Sequence, residues 1–258
     1  MSAAADIAVL VSCARHPLSG TPCANRNDAI ALELARSLAG SPLRVLHAGD
    51  PEAGALAEYL AFGARLIEVL PAPAGAELLP LLIQALQEQE LVLTGSRALY
   101  GTGSGMLPYM LAQGLHRPMV GDVLEVALEP GRARVQQFLP KGRRRSIEVS
   151  LPAVLAIHPL APYRPRYAYA RRLSGQITGG GVSAVAAVAD ADAAAWVDES
   201  QTRMAVRLQA PDNRPGHARM LAAIGSPARG GTIMAEGSSL QKAETLLAYL
   251  RQHELIDF

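Results

Sequence analysis

Between Gly95 and Met106 the chain reads GSRALYGTGSGM, a run in which four glycines leave backbone amides free to approach a ligand closely. The loop follows a predicted strand, Leu91 to Thr94, and precedes a helix predicted to start near Met106, so the helix dipole would add to the attraction of an anion. In open parallel sheets ligands gather beyond the carboxyl ends of the strands, where this loop falls. The chemistry indicated is phosphate binding by Gly95, Gly101, Thr102, Gly103, Ser104, Gly105 and Met106. A Gly/Ser-rich connection with no ligand is the alternative that these residues leave open. The loop is not a Walker A motif, which needs Gly-Lys-Ser/Thr, and Met106 stands where G-x-G-x-x-G requires its last glycine.

Other chemistries find little footing. The six histidines, His16, His47, His116, His158, His217 and His253, fall in no metal-ligand spacing, and most are expected on the surface or in loops. No Gly-x-Ser-x-Gly elbow or HExxH helix occurs, so no catalytic residue is assigned and the pattern is that of a binding protein. Cys13 and Cys23 form neither a CxxC pair nor a disulfide framework, which fits a reducing cytoplasm. With 24 basic and 23 acidic residues the net charge is +1, too balanced to draw the chain to nucleic acid. The local exception, KGRRR from Lys141 to Arg145, reads as a solvated hairpin turn, with an anion or partner site as the alternative. No apolar run reaches the ~18 residues of a membrane span, so no membrane insertion is expected.

The elements that would carry the loop alternate. Ile7 to Val11 is a compact apolar strand, followed by a Pro/Gly/Cys/Asn-rich loop from Arg15 to Asn27 and a helix that Asp28 can help cap. Ile30, Leu34 and Leu38 recur at four-residue spacing along it, and Gly40 closes it. Strand Leu43 to His47, turn Gly49-Asp50-Pro51, helix Glu52 to Phe62 closed by Gly63, strand Leu66 to Leu70, and a helix carrying Leu78, Leu82 and Leu86 continue the rhythm. Strands alternating with helices imply an α/β fold with a parallel, Rossmann-like sheet and helices on both faces.

Past residue 119 the pattern changes. Val120 to Leu128, Ala133 to Leu139 and Arg144 to Ser150 alternate around two Pro/Gly turns, an antiparallel meander. The chain then enters LPAVLAIHPLAPYRPRYA, Leu151 to Ala168, in which Ala153 to Ile157 suits a strand buried on both faces. Pro152, Pro159, Pro162 and Pro165 bar a regular helix there, so PRYAYARR is expected to be an exposed, stiffened lead-in. Beyond Gly179-Gly180-Gly181 an Ala/Asp-rich tract to about Ser226 marks a boundary or covering arm. The division expected is 1–177 as the nucleotide-binding core and 178–258 as a C-terminal arm that covers a partner subunit. Its terminal helix has capping-box spacing at Ser238 and Gln241 and an apolar face of Leu240, Ala243, Leu247 and Leu250.

The Leu-Pro-Ala-Val strand followed by Pro-Arg-Tyr-Ala resembles the beta subunit of the electron transfer flavoproteins. The helix around Ile30 to Leu38 and the ending Leu60-Ala61-Phe62-Gly63-Ala64 resemble it too, as do Ser104-Gly105-Met106 and Pro108, which look like the end of that family's phosphate loop. The loop departs from the family in carrying Gly101, Thr102 and Gly103 where acidic residues are usual, which keeps the amide cradle and drops side-chain acceptors.

The resemblance implies an electron carrier rather than an enzyme, with an AMP buried in this chain and an FAD held mainly by an alpha subunit. Ser12 and Cys13, at the end of the first strand, Asn25 and Asn27, before the first helix, and Asp50, at the second βα turn, match positions that contact AMP in the family, although its Asn-Pro pair is absent. Arg166 and Tyr167 match the lead-in to a loop that docks on a flavin-dependent dehydrogenase; Ala170 and Leu173 lie in that loop, with Leu173 as the expected apolar anchor. A quinone oxidoreductase would accept the electrons. Two other readings remain: a bifurcating flavoprotein subunit holding a second FAD, and a stand-alone adenine-nucleotide module similar in layout to universal stress proteins.

Overall fold

A computed structural model of the 258-residue chain describes residues 5–16, 18–38, 43–73, 75–99, 103–179, 195–197, 216–217, 220, 234–253 and 255–256. Chain contacts divide it into two units, Met1–Val197 and Asp198–Phe258.

The first unit is built on a nine-stranded sheet. Its strands are β1 (Ile7–Leu10), β4 (Leu43–Gly49), β5 (Leu66–Pro71), β6 (Leu91–Gly95), β7 (Met119–Glu129), β8 (Arg132–Phe138), β9 (Arg144–Ser150), β10 (Ala153–Ile157) and β11 (Gln176–Gly179). They lie in the order β11-β5-β4-β1-β6-β10-β7-β8-β9. The pairings from β11 through to β7 are parallel, and β8 and β9 add the antiparallel meander. The central strands β1, β6 and β10 are buried at every residue, which is why they read as continuous apolar runs; β8 alternates over its first residues because only one face is covered.

Helices cover both faces. Helix α1 (Arg26–Ser37) and α2 (Leu56–Phe62) place Ile30, Leu34, Leu56 and Tyr59 in one core with Val9, Leu93 and Leu155. On the opposite face α3 (Leu79–Leu86) and α4 (Leu107–Gly114) place Leu82, Leu86 and Leu111 in a second core with Leu10, Val92 and Val154. The chain runs from β1 through β4 to β5 on one side, then returns across the sheet to β6 on the other side of β1. In open α/β sheets such a reversal marks the crevice, here beyond the carboxyl ends of β1 and β6, where ligands bind.

Four expectations need correction. Asp28 does not cap α1: Asn25 does, its side chain accepting from the Asn27 amide, because the helix begins at Arg26 and carries Asp28, in its first turn, into the protein. The segment from Arg15 to Asn27 is not all loop, since Cys13–Arg15 (β2) and Pro22–Ala24 (β3) form a small antiparallel hairpin. Helix α2 begins at Leu56 rather than Glu52, because Asp50 accepts from the Glu52 amide and holds the chain in turns through Gly54. PRYAYARR is not a plain lead-in: the Ala168 amide bonds the Ala61 carbonyl, Tyr167 meets Phe62 edge to face at 5.7 Å, and a short helix α5 (Tyr169–Ser174) leads into the edge strand β11. Gly40, expected to close α1, and Gly180 and Gly181 lie outside the described residues.

KGRRR is exposed: Lys141 to Arg143 lie in the turn between β8 and β9, and Arg144 and Arg145 begin β9. In the second unit, α6 (Ser239–Gln252) carries the capping box: Ser238 accepts from the Gln241 amide, and Gln241 accepts from the Ser238 amide. No residue of this helix is buried; Leu247 and Leu250 are half-buried, and Leu240 is exposed. Most of residues 182–225 lie outside the described residues. Among the described residues no helix is long and apolar enough to cross a membrane.

Candidate functional site

The crevice at the reversal of strand order gathers three chain segments: the residues after β1, the first turn of α1, and the loop after β6. Asp28 joins them. Its Oδ2 accepts from the Ser12 amide at 2.8 Å and from the Ser12 hydroxyl at 2.5 Å, with the Tyr59 hydroxyl at 3.4 Å. Tyr59 donates mainly to the Ser12 carbonyl at 2.7 Å and receives the Asn25 amide at 2.8 Å. Gly95 closes against the same carboxylate: a Cβ there would lie 2.2 Å from Asp28 Oδ1. This approach locks the end of β6 onto α1 and requires glycine.

Burial pushes the Asp28 carboxyl up to about 7, against the opposing pull of hydrogen bonds from Ser12, Tyr59 and the Gly95 amide. A carboxyl that holds its proton in the folded chain well above its unfolded value lends stability at low pH that is lost as pH rises. The stability of wild type relative to Asp28→Asn is therefore expected to fall between about pH 4 and pH 7, by on the order of a few kcal/mol, and to be level above that. Unfolding midpoints of both proteins across this range check it; a difference independent of pH would contradict it.

Asn25 and Asn27 tie α1 to the loop. Asn25 is fully buried and donates from Nδ2 to the Arg97 carbonyl at 3.0 Å and the Ser12 hydroxyl at 3.3 Å. Asn27 donates from Nδ2 to Ser96 Oγ at 2.9 Å and to the Ile157 carbonyl, at the end of β10, at 3.1 Å. Its Oδ1 is buried without a partner. A buried acceptor left unpaired is costly, so this oxygen fits a donor such as a purine amine or a ribose hydroxyl.

Gly103 and Gly105 adopt left-handed backbone, φ 54° and 72°, as a loop that turns its amides toward a ligand requires. Ser104 accepts from the Met106 amide at 3.3 Å and the chain enters α4, where Pro108 takes an early position. Gly101 and Thr102 lie outside the described residues. The loop carries no carboxylate and one cation, Arg97, a balance that favours a phosphate.

Cys13 and His47 flank the crevice. His47 Nδ1 donates to the Val11 carbonyl at 2.9 Å, which leaves Nε2 to face Cys13 Sγ at 3.7 Å. Burial pushes the His47 pKa down, so the ring is neutral at pH 7. It also pushes the Cys13 thiol up to about 11, with Asp50 and Asp28 adding to the rise. This thiol is a protonated wall rather than a nucleophile. His47 lies in β4, as the strand expected from Leu43 to His47 requires, and it is buried there. Asp50 is exposed at the second βα turn. No group of His, Cys, Asp or Glu able to hold a metal occurs among the described residues.

Arg166, Tyr167, Ala170 and Leu173 are all exposed, in and just before α5. They share one segment, which packs on α2 through Tyr167 against Phe62 and the Ala168 amide on the Ala61 carbonyl. Asp28, Ser96, Arg97 and Tyr59 were not among the residues assigned from sequence. Asp28 is readable as a partner for Ser12 only once the hairpin β2–β3 brings the start of α1 back to the end of β1.

Parallel strands with helices on both faces define a Rossmann-like α/β domain, and the glycine-rich loop lies at the reversal of its strand order. Residues 20–192 match the electron transfer flavoprotein domain. The chain is 35% identical to the electron transfer flavoprotein subunit beta of Chromohalobacter salexigens over 263 residues, covering 99% of this chain and 97% of that protein. It belongs to the electron transfer flavoprotein family, as a beta subunit.

Proposed function

We propose that this chain is the AMP-holding half of a heterodimer in which an alpha subunit carries most of the FAD. The single observation that carries the reading is the buried, unpartnered Oδ1 of Asn27, set at the first turn of α1 beside the carboxylate-free glycine loop. Asn27 and Ser96 would meet the nucleoside, and the amides of Gly103 to Met106 with Arg97 would meet the phosphate. AMP supplies no redox chemistry there. It would fill the crevice, satisfy the orphaned acceptor and hold the loop in its left-handed turns. Electrons would enter from a flavin-dependent dehydrogenase and leave to a quinone oxidoreductase through the FAD.

The exposed segment around α5 would meet the dehydrogenase, with Leu173 as the apolar anchor; its side chain stands 72% exposed. Leu173→Asp is expected to slow reduction of the flavin by the dehydrogenase about tenfold or more while leaving FAD bound. Stopped-flow reduction measures this, and unchanged kinetics would contradict the assignment.

Purification of the complex from its native host without denaturant tests the reading as a whole. A yellow heterodimer with an alpha subunit is the expected result. A colourless chain that binds ATP as a stable monomer or homodimer would instead support the stand-alone module.

A further inference from the structure

At the C-terminal end of α1, the opposite end of the helix from Asn27, a cleft of about 430 Å³ opens between that helix and the chain that follows β10. It is lined by Arg36 and Glu33 from α1 and by Tyr163, Arg164, Arg166 and Arg171 from the later segment. Four arginines and one glutamate are among its lining residues. The glutamate is already spent, because Glu33 Oε2 takes the Arg36 guanidinium at 2.7 Å, and Arg36 also donates to the Phe62 carbonyl at 3.2 Å.

Arg164, Arg166 and Arg171 form no ion pair or hydrogen bond from their guanidinium groups among the described residues. The other basic surface behaves differently. On the β8–β9 hairpin Arg144 lies 3.9 Å from Glu125, and Arg145 donates to Gln137 Oε1 at 2.6 Å. Three like charges without a partner among the described residues repel one another around one concavity, and an anionic group there would relieve them.

The cleft is open and its arginines are exposed, unlike an enclosed small-molecule site. Tyr167, Tyr169 and Leu173, all exposed, continue the same segment. Arginine and tyrosine around a charged concavity are the composition of a protein interface centre. We propose that this cleft is an electrostatic docking site for an acidic segment of a partner protein, whose carboxylates pair with Arg164, Arg166 and Arg171. The inference rests on the reading of the α5 segment as partner-facing and adds the chemistry the partner must present. Arg36 serves as the fixed wall, since its hydrogen bonds hold the end of α2.

Fluorescein-labelled hexaglutamate, titrated into the intact holo-complex and followed by anisotropy, is the test. The peptide is expected to bind, and to bind about tenfold more weakly when sodium chloride is raised from about 0.05 M to about 0.3 M. Arg164→Glu with Arg171→Glu should weaken binding about tenfold or more. Arg143→Glu with Arg144→Glu, the same change of charge on the hairpin, should alter it less than about twofold. Equal losses in the two variants, or no binding to wild type, would overturn the proposal. So would citrate displacing the peptide more tightly than hexaglutamate itself binds, which would make the cleft a small-anion site. Flavin content of the same samples separates the two readings: peptide binding by a colourless chain overturns the beta-subunit function and leaves the cleft standing, and a yellow complex that ignores the peptide does the reverse.

Discussion

Gly95→Ala is expected to cost about 3 kcal/mol of stability and to empty the nucleotide crevice. A methyl group there would stand 2.2 Å from Asp28 Oδ1, 3.2 Å from Asn27 Nδ2 and 3.3 Å from the Asp28 amide nitrogen. None of these can swing aside. Asp28 is buried and held by Ser12, and Asn27 is pinned between Ser96 and Ile157. The whole first turn of α1 must move away from β6, so the Asn27 oxygen leaves the crevice as Ser12 loses its acceptor. For a chain of this length the loss corresponds to a fall in Tm of roughly 6–12 °C. Gly54→Ala, where an added Cβ would meet nothing within 4 Å, should leave both Tm and bound nucleotide unchanged. Thermal unfolding with nucleotide release on the two variants checks this; a Gly95→Ala protein that keeps its full nucleotide would contradict the geometry.

The second large effect is on the loop itself. Gly103 and Gly105 hold φ values of 54° and 72°, and a Cβ at either would lie 3.2 Å from the Ala98 carbonyl oxygen or 3.1 Å from that of Ser96. β-Branched side chains are strained there by roughly 1–2 kcal/mol each, so Gly103→Val with Gly105→Val should unwind the turns and lower AMP occupancy about tenfold or more. FAD content should hold, because the alpha subunit carries most of it under this account. Gly105→Asn separates backbone strain from crowding, since asparagine tolerates the left-handed region. Its loss of AMP should be smaller than that of valine. Equal retention of AMP by all three proteins would mean that the loop amides do not hold the phosphate.

Much of this architecture is legible in the residues, and the exceptions have physical causes. Strands β1, β6 and β10 announce themselves because burial on both faces makes them apolar throughout apart from Thr94 and Gly95 at the end of β6. The meander shows through alternation and through turns at Pro130-Gly131 and Lys141-Gly142. The start of α1 is ambiguous locally, because Asn25, Asn27 and Asp28 are each competent caps. What decides among them is distant: Ser12, Tyr59 and Gly95 together need a buried carboxylate, which Asp28 supplies, so Asn25 takes the cap. The hairpin β2–β3 and the edge strand β11 are three or four residues long and exist through pairing, with no periodicity to betray them.

The site was legible in part. Ser12, Cys13, Asn25, Asn27, Gly95 and the described end of the loop, Gly103 to Met106, follow β1, open α1 or follow β6, but their division of labour is visible only in three dimensions. Asn25 spends its capacity on α1, Arg97 and Ser12, whereas Asn27 keeps an oxygen in reserve. The arginine cleft joins α1 to residues about 130 positions later, a juxtaposition that only the return of the chain past β10 creates.

The measurement that bears most directly on the account is a census of the nucleotides in the purified heterodimer, released by acid and separated by chromatography. One FAD and one AMP per heterodimer is the predicted result. Two FAD and no AMP would contradict it, and would make this chain the holder of a second flavin in a bifurcating complex.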